Sequence, residues 1–391
     1  MVQLGTTCLR RLAEGKNGME VRFGRLLRNP KVTVDSIVAG WSEETAPAAK
    51  GRHVLAIQDT SEINFKTTDE ARRGLGVIGK GVGRGLLLHP MIAVDAATQE
   101  CLGLVSGTLW TRTEPPTAKA AKKPNNKRRP LDEKESRRWV ETALKAKKIL
   151  SQAAMVTMVA DREADLYQMW ALVPDEQVHV LGRAYHDRKL ADGRTLTTVA
   201  ADWPVLGTRR ITIREREGRQ EREADLVLRA GRITIPRPQE KRYANLPPEI
   251  TLTLIELIEP NPPAGAEPLV WRLLTTHAAP DAATAWQIVD WYRSRWLIEQ
   301  FFRTLKKQGF QVEDSQVEDS QVETADRLIK LVAIAARAAA ITIQLTQARD
   351  GIGTLSADAV FSAAEVSTLE ALNHDYSKPT REPAGENRTG G

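Results

Sequence analysis

The sequence predicts an α/β protein, a mixed sheet flanked by helices and interrupted by an antiparallel β insertion. Three observations carry this. Apolar runs of strand length recur at 53–65, 86–95, 101–110, 153–167, 177–185 and 269–276. Helical patterns at 132–150 and 281–308 lie among them. From about 187 to 266 the texture changes, and "RRITIREREGRQEREADLVLRAGRITIP" alternates apolar and charged residues around Gly218 and Gly231. Period-two alternation punctuated by glycine reads as a small antiparallel sheet with one wet face.

A chain of 391 residues suits two or three domains, or one large domain with an insertion. Hydrophobic residues make up 41%, enough for a core. The 56 Lys and Arg outnumber the 50 Asp and Glu, giving a formal charge of +6 and a pI near 9.3. That mild excess suits a polyanionic partner, although many proteins share it. Cys8 and Cys101 fit neither a disulfide framework nor a CxxC zinc site, and the histidines show no HExxH spacing. Such cysteine usage points to a reducing compartment. The start, "MVQLGTTCLRRLAEG", lacks the apolar centre of a signal peptide. The longest apolar run, 331–345, contains Arg337 and is too short for a bilayer, so it reads as a buried helix.

Taken in order, residues 1–50 mix short helical patterns with a turn at "RNPK" (28–31). "HVLAIQDTSEINF" is a buried strand whose apolar run ends at Asp59. "GLGVIGKGVGRG" (74–85) has no Ser or Thr after its GK and no helix behind it, so a hairpin or loop fits better than a phosphate loop. "TEPPTAKAAKKPNNKRRP" (113–130) is a flexible basic connection, either a solvated loop or a phosphate contact. "AAMVTMVADREADLY" is a strand ending at Asp161. The 281–308 segment reads as one long helix with Asp281 as its N-cap. The tandem QVEDS unit at 311–324 is too short for a solenoid and reads as a local duplication in an acidic loop. The final "SKPTREPAGENRTGG" reads as disordered.

The long helix holds the chemistry. "YRSRWLIEQFFRTLKK" (292–307) places one acid, Glu299, among Arg293, Arg295, Arg303, Lys306 and Lys307. Tyr292, Arg295, Glu299, Arg303 and Lys306 fall on one helical stripe, beside a core-facing stripe of Trp291, Ile298, Phe302 and Leu305. A salt bridge from Glu299 to Arg295 or Arg303 is the plain account, worth about 0.3–0.5 kcal/mol if exposed. It leaves the surplus cations unexplained, because they repel one another unless a polyanion lies there. It also ignores Asp59 and Asp161, each ending an apolar strand. Three such acids can converge on a pair of Mg²⁺ ions, whose hard oxygen ligands and open positions suit phosphate chemistry.

The motif Y-x2-R-x3-E-x6-K, met here by Tyr292, Arg295, Glu299 and Lys306, resembles the signature of DDE transposases of the insertion sequence four family, which includes the transposon five transposase. "AIQDTSEINF" and "ADREADLY" look like that family's two Asp strands, and "DEKESRRW" (132–139) also resembles a family segment. The match covers about 50–345. It implies a ribonuclease-H-like core in two parts, 51–186 and 267–350, around a β-rich insertion at 187–266. It implies an N-terminal helical DNA-binding remnant at 1–50, while 351–391 reads as a C-terminal polar tail. It implies Mg²⁺-dependent cut-and-paste transposition (nicking, hairpin formation, strand transfer) with two ions, Mn²⁺ serving as a substitute. Asp59, Asp161 and Glu299 would be both catalytic and metal-binding. Tyr292, Arg295 and Lys306 would hold phosphates, joined by Arg303 and by Arg183 of "VLGRAY". Trp271 would stack on a flipped base, its plain alternative being a core residue of its strand. The plain alternative for Arg183 and Arg303 is a surface ion pair, and Glu163 and Asp165 read as structural pairs. The partners implied are transposon-end and target DNA and a second copy in a synaptic homodimer, in the bacterial cytoplasm at the nucleoid.

Both ends depart from the family pattern. Only 58 residues precede Asp59, fewer than an end-recognition domain takes, and a polar tail stands where relatives carry a helical pairing region. The core motifs still set the expectation of an active transposase. The alternative is a non-catalytic, truncated relative that binds DNA or poisons subunits. A metal-dependent nuclease on the same core is a third reading, which the Tyr292–Lys306 signature disfavours.

Overall fold

A computed structural model describes residues 1–65, 74–79, 83–112, 134–213, 221–308, 310, 312–313, 324–353 and 362–376. The basic stretch 113–130, nearly all of the QVEDS duplication and the end of the C-terminal tail lie outside the described residues.

The chain opens with four short helices, α1 (Leu9–Leu12), α2 (Asn17–Arg28), α3 (Val34–Ala39) and α4 (Ser42–Ala48). Thr33 and Ser36 close a capping box at the start of α3. Strands β1 (His53–Gln58), β2 (Ser61–Phe65), β3 (Gly76–Ile78), β4 (Gly83–Asp95) and β5 (Cys101–Trp110) follow. The Gly-rich stretch is a β3–β4 hairpin, not a phosphate loop. Next come α5 (Arg137–Ile149), β6 (Met155–Ala160), α6 (Tyr167–Leu172), β7 (Val178–Arg183) and α7 (Leu196–Ala201). Then come β8 (Gly207–Ile213), β9 (Arg222–Pro236), β10 (Glu249–Ile258) and β11 (Val270–Thr275). The last helices are α8 (Ala282–Arg293), α9 (Trp296–Arg303), α10 (Ala325–Arg349) and α11 (Ala363–Tyr376), the last within the segment expected to be a polar tail.

The described strands form one mixed sheet of order β2-β4-β1-β6-β7-β11-β10-β9-β8, with β3 and β5 also paired to β4. Its centre is parallel, β1 beside β6 and β6 beside β7. Both faces of that centre are covered. Leu55 and Ile57 join one core with Trp286, Ile298, Phe301 and Leu331, while Val54 and Ala56 join another with Val140, Ala143, Met169 and Trp170. Parallel strands buried on both faces read as continuous apolar runs, which is why these were visible in sequence.

Three expectations need correction here. The strands at 207–258 are antiparallel with an alternating pattern, but they form no separate small sheet. β11 pairs antiparallel with β7 on one side and β10 on the other, so β8–β10 extend the central sheet. Gly231 is no turn. It lies within β9, where an added Cβ would stand 2.5 Å from the Trp203 ring. The third correction concerns 281–308, which is not one uninterrupted helix. Asp281 does cap it, accepting from Thr284 N at 2.8 Å. At Ser294–Arg295 the backbone tightens: Arg295 N bonds Tyr292 O at 3.1 Å and Leu297 N bonds Ser294 O at 2.9 Å. The Ser294 hydroxyl donates back to Asp290 O at 3.1 Å, competing for that carbonyl. A π-helical turn, Thr304–Gln308, follows α9.

The apolar run near the end is the middle of α10. By length and composition alone this helix could cross a membrane, but most of its apolar window is buried inside the fold. Leu328, Leu331, Val332, Ala335, Ala336 and Ala339 are buried, Trp41 Nε1 donates to Ala333 O at 3.1 Å, and Arg337 pairs with Glu44 at 2.9 Å.

Candidate active site

The parallel centre of the sheet sets the first two acids side by side. β1 and β6 run in register from His53–Met155 to Ile57–Val159, and two residues further on Asp59 comes level with Asp161. Neighbouring strands lie about 4.8 Å apart, so both carboxylates emerge together at the carboxyl ends of their strands. β7 continues the row, pairing Gly182 with Ala160 and so bringing Arg183 level with Asp161. β11 comes in antiparallel, pairs Leu273 with Arg183, and carries Trp271 past the same edge.

The two aspartates are held differently. Asp161 Oδ1 accepts from Glu163 N at 2.8 Å, capping a short 3₁₀ turn through Arg162–Ala164. Asp59 accepts from Thr60 N at 2.7 Å. Burial, and next the neighbouring Asp161, push the Asp59 carboxyl up to about 6 against the opposing pull of Arg295. Such a pair is short of positive charge.

The α8–α9 segment supplies that charge. Arg295, in the tight turn between the helices, donates Nη1 to Asp59 Oδ2 at 2.9 Å and Nη2 to Glu299 Oε1. Burial works against the guanidinium charge, but Tyr292, Asp59, Glu299 and Asp161 outweigh it and hold Arg295 above its ordinary value. All three expected acids therefore act on one cation. The acids do not form a closed metal cage: among the described residues no group of three His, Cys, Asp or Glu side chains stands close enough to hold an ion. The physical reason is that Arg295 lies between Asp59 and Glu299.

Tyr292, Arg183 and Trp271 lie together beside this centre, whereas Lys306 and Arg303 have partners of their own. Tyr292 is buried, edge-on to Trp271 at 5.6 Å between centroids. Arg183 donates Nη2 to Val270 O at 2.8 Å and lies 5.9 Å from the Trp271 ring. Trp271 is only half-buried, packed against the core. Lys306 donates to Glu62 O and pairs with Glu313 at 3.3 Å. Arg303 is exposed over the Trp296 ring at 5.5 Å.

A family model described as the transposase DDE domain matches residues 123–336, more than half of the chain. The chain belongs to the transposase DDE domain family. The matched span includes Asp161 and Glu299; Asp59 precedes it. Among solved structures, a cryo-EM structure of the piggyBac transposase synaptic complex with hairpin DNA is similar at 10% identity with a TM-score of 0.36, over 86% of this chain and 60% of that one. The chain thus spans three fifths of that transposase's length.

Residues that sequence reasoning missed hold Thr60, whose N–H donates to Asp59. Arg138 of α5 donates Nε to Thr60 Oγ1 at 2.9 Å and Nη2 to Glu163 at 2.8 Å, with its guanidinium beside the Trp110 and Trp139 rings. The fully buried His89 of β4 links Thr60 Oγ1 (2.8 Å) to Gln58 Oε1 (3.1 Å). The "SRRW" of the 132–139 segment was the only available signal for Arg138; a lone His in an apolar strand gave none. Glu163 and Asp165 do form ion pairs, with Arg138 and with Arg188 at 2.8 Å.

The donor chemistry fits a divalent ion. Asp59, Asp161 and Glu299 offer only hard oxygen ligands, and burial, then the neighbouring Asp161, raise the Asp59 carboxyl, a shift that an added cation would oppose.

Proposed function

We propose that this chain is a DNA transposase of the insertion sequence four type, carrying out metal-dependent nicking, hairpin formation and strand transfer at transposon ends. In this reading 51–186 and 267–350 form a ribonuclease-H-like core, 187–266 an insertion in it and 1–50 a DNA-binding segment. A second copy would complete the synaptic complex. The observation that carries the reading is that one guanidinium, Arg295, feels Asp59, Asp161 and Glu299 at once, at the carboxyl ends of two parallel strands.

Asp59, Asp161 and Glu299 would hold Mg²⁺ or Mn²⁺. A bound ion pair of this kind activates an attacking oxygen and steadies a leaving one in an in-line displacement. The surrounding side chains do the positioning. Arg183 and Arg303 would receive backbone phosphates, and Lys306 would do so on leaving Glu313. Tyr292 would buttress the half-buried Trp271, on whose ring an unstacked base would stack.

The test is cleavage of DNA flanking the gene with Mg²⁺ or Mn²⁺. Asp161→Asn is expected to abolish cleavage and leave DNA binding intact. Cleavage that persists in this variant refutes the site. DNA binding by the wild type without any cleavage favours the non-catalytic relative instead.

A further inference from the structure

We propose that Arg295 is an exchangeable positioning cation: it holds Asp59 and Glu299 until a DNA phosphate takes its guanidinium, and this exchange makes DNA and divalent metal bind cooperatively. The inference rests on the carboxylate–metal reading above.

The geometry is unusual for a simple ion pair. A guanidinium meeting one carboxylate normally engages it with two parallel N–H bonds. Here Nη1 goes to Asp59 at 2.9 Å and Nη2 to Glu299, acids far apart in sequence that enter from a strand end and a helix. Asp161 adds its field to the same cation. Arg295 therefore gathers the acids a metal site would need while taking up the space between two of them.

A divalent ion and the guanidinium repel each other, so the ion enters only as Arg295 leaves. Its side chain is 20% exposed and extends from the tight turn between α8 and α9, which leaves a route outward. A phosphate offers the same two-oxygen face as a carboxylate, and arginine's five donors suit either. Arg183 and Arg162 lie close enough to act on each other's charge, so an arriving phosphate also meets cations that gain from it. The exchange is thermodynamically linked: if DNA raises metal affinity by a factor, metal raises DNA affinity by the same factor. The DDE centre would then be charged with metal on DNA and held shut by its own arginine off it.

The experiment measures free Mn²⁺ by electron paramagnetic resonance in titrations of the full chain, with and without a short DNA duplex. The expected result for wild type is weak Mn²⁺ binding alone and binding tighter on the order of tenfold with duplex. Arg295→Gln is expected to bind Mn²⁺ tightly without duplex and to gain little from it. Equal Mn²⁺ affinity of wild type with and without duplex overturns the exchange, and that measurement needs no variant. If that equal affinity is abolished by Asp161→Asn, the metal reading survives and only the exchange has failed. If Mn²⁺ binding survives Asp161→Asn in both backgrounds, the ion sits elsewhere and both fall.

Discussion

Asp59 shows what this centre costs the folded protein. Its folded value of about 6 lies above that of an unfolded aspartate, so the folded state binds a proton more tightly. Stability from this group falls as pH rises through roughly pH 4–6, and the full penalty remains above that window. Asp59→Asn in chelator is therefore expected to stabilise the chain by about 1–2 kcal/mol at neutral pH, with the loss of the Arg295 contact offsetting part of the gain. Near pH 4 the effect should vanish. Thermal unfolding at the two pH values checks this, and an unchanged or lowered Tm at neutral pH rules it out. The acids themselves were legible in the sequence, because a carboxylate ending an apolar run is conspicuous. Arg295's grip on Asp59 was not, since it joins residues 236 positions apart, and pattern reading reaches only the helical neighbour Glu299.

At the scale of elements, the strands were read well and their assembly less so. β1, β6 and β7 advertise themselves as unbroken apolar runs. The pairing of β11 with β7 depends on which edge is free once the core has closed, and no local pattern encodes it. Gly231 misled for a related reason. Glycine signals a turn or a close approach equally, and here the approach is by Trp203. Gly231→Ala is expected to cost about 1–3 kcal/mol in denaturant unfolding through overpacking. Trp203→Leu in the same chain should recover part of that loss, and purely additive costs would show that the ring is not the obstacle. The break at Ser294 was invisible because neither Ser nor Arg excludes helix. The same strands carry buried charge: Glu259 is fully enclosed and meets Arg222 through both oxygens. Arg222→Ala should lower the denaturant midpoint, since it leaves the Glu259 carboxylate without its two-pronged partner. Glu259→Gln beside it should soften the effect.

For the molecule as a whole, the end of the sheet opposite the acids holds a second titratable cluster. His53 and His277 both place Nε2 2.8 Å from Thr157 Oγ1, and the His179 ring stacks on His277 at 3.9 Å. Burial, then His179, lower His53 to about 4; burial, then His179 and His53, lower His277 to about 3. Asp95 and Asp175 oppose this only weakly. Folded values below the unfolded one mean stability that is complete above about pH 6.5 and lost as pH falls toward 4. His277→Gln is expected to move the acid-unfolding midpoint to lower pH, as seen by circular dichroism. An unmoved midpoint assigns acid lability to other groups.

The pairing of β7 with β11 also has a temporal side. While the ribosome is still translating the segment between these strands, the nascent chain owns both aspartates but neither the glutamate nor the arginine that meets them. A polypeptide that has not yet reached Arg295 and Glu299 therefore holds the two strand-end acids without the cation that neutralises Asp59, and the charge balance of this sheet edge is settled only after roughly three quarters of the chain has been made.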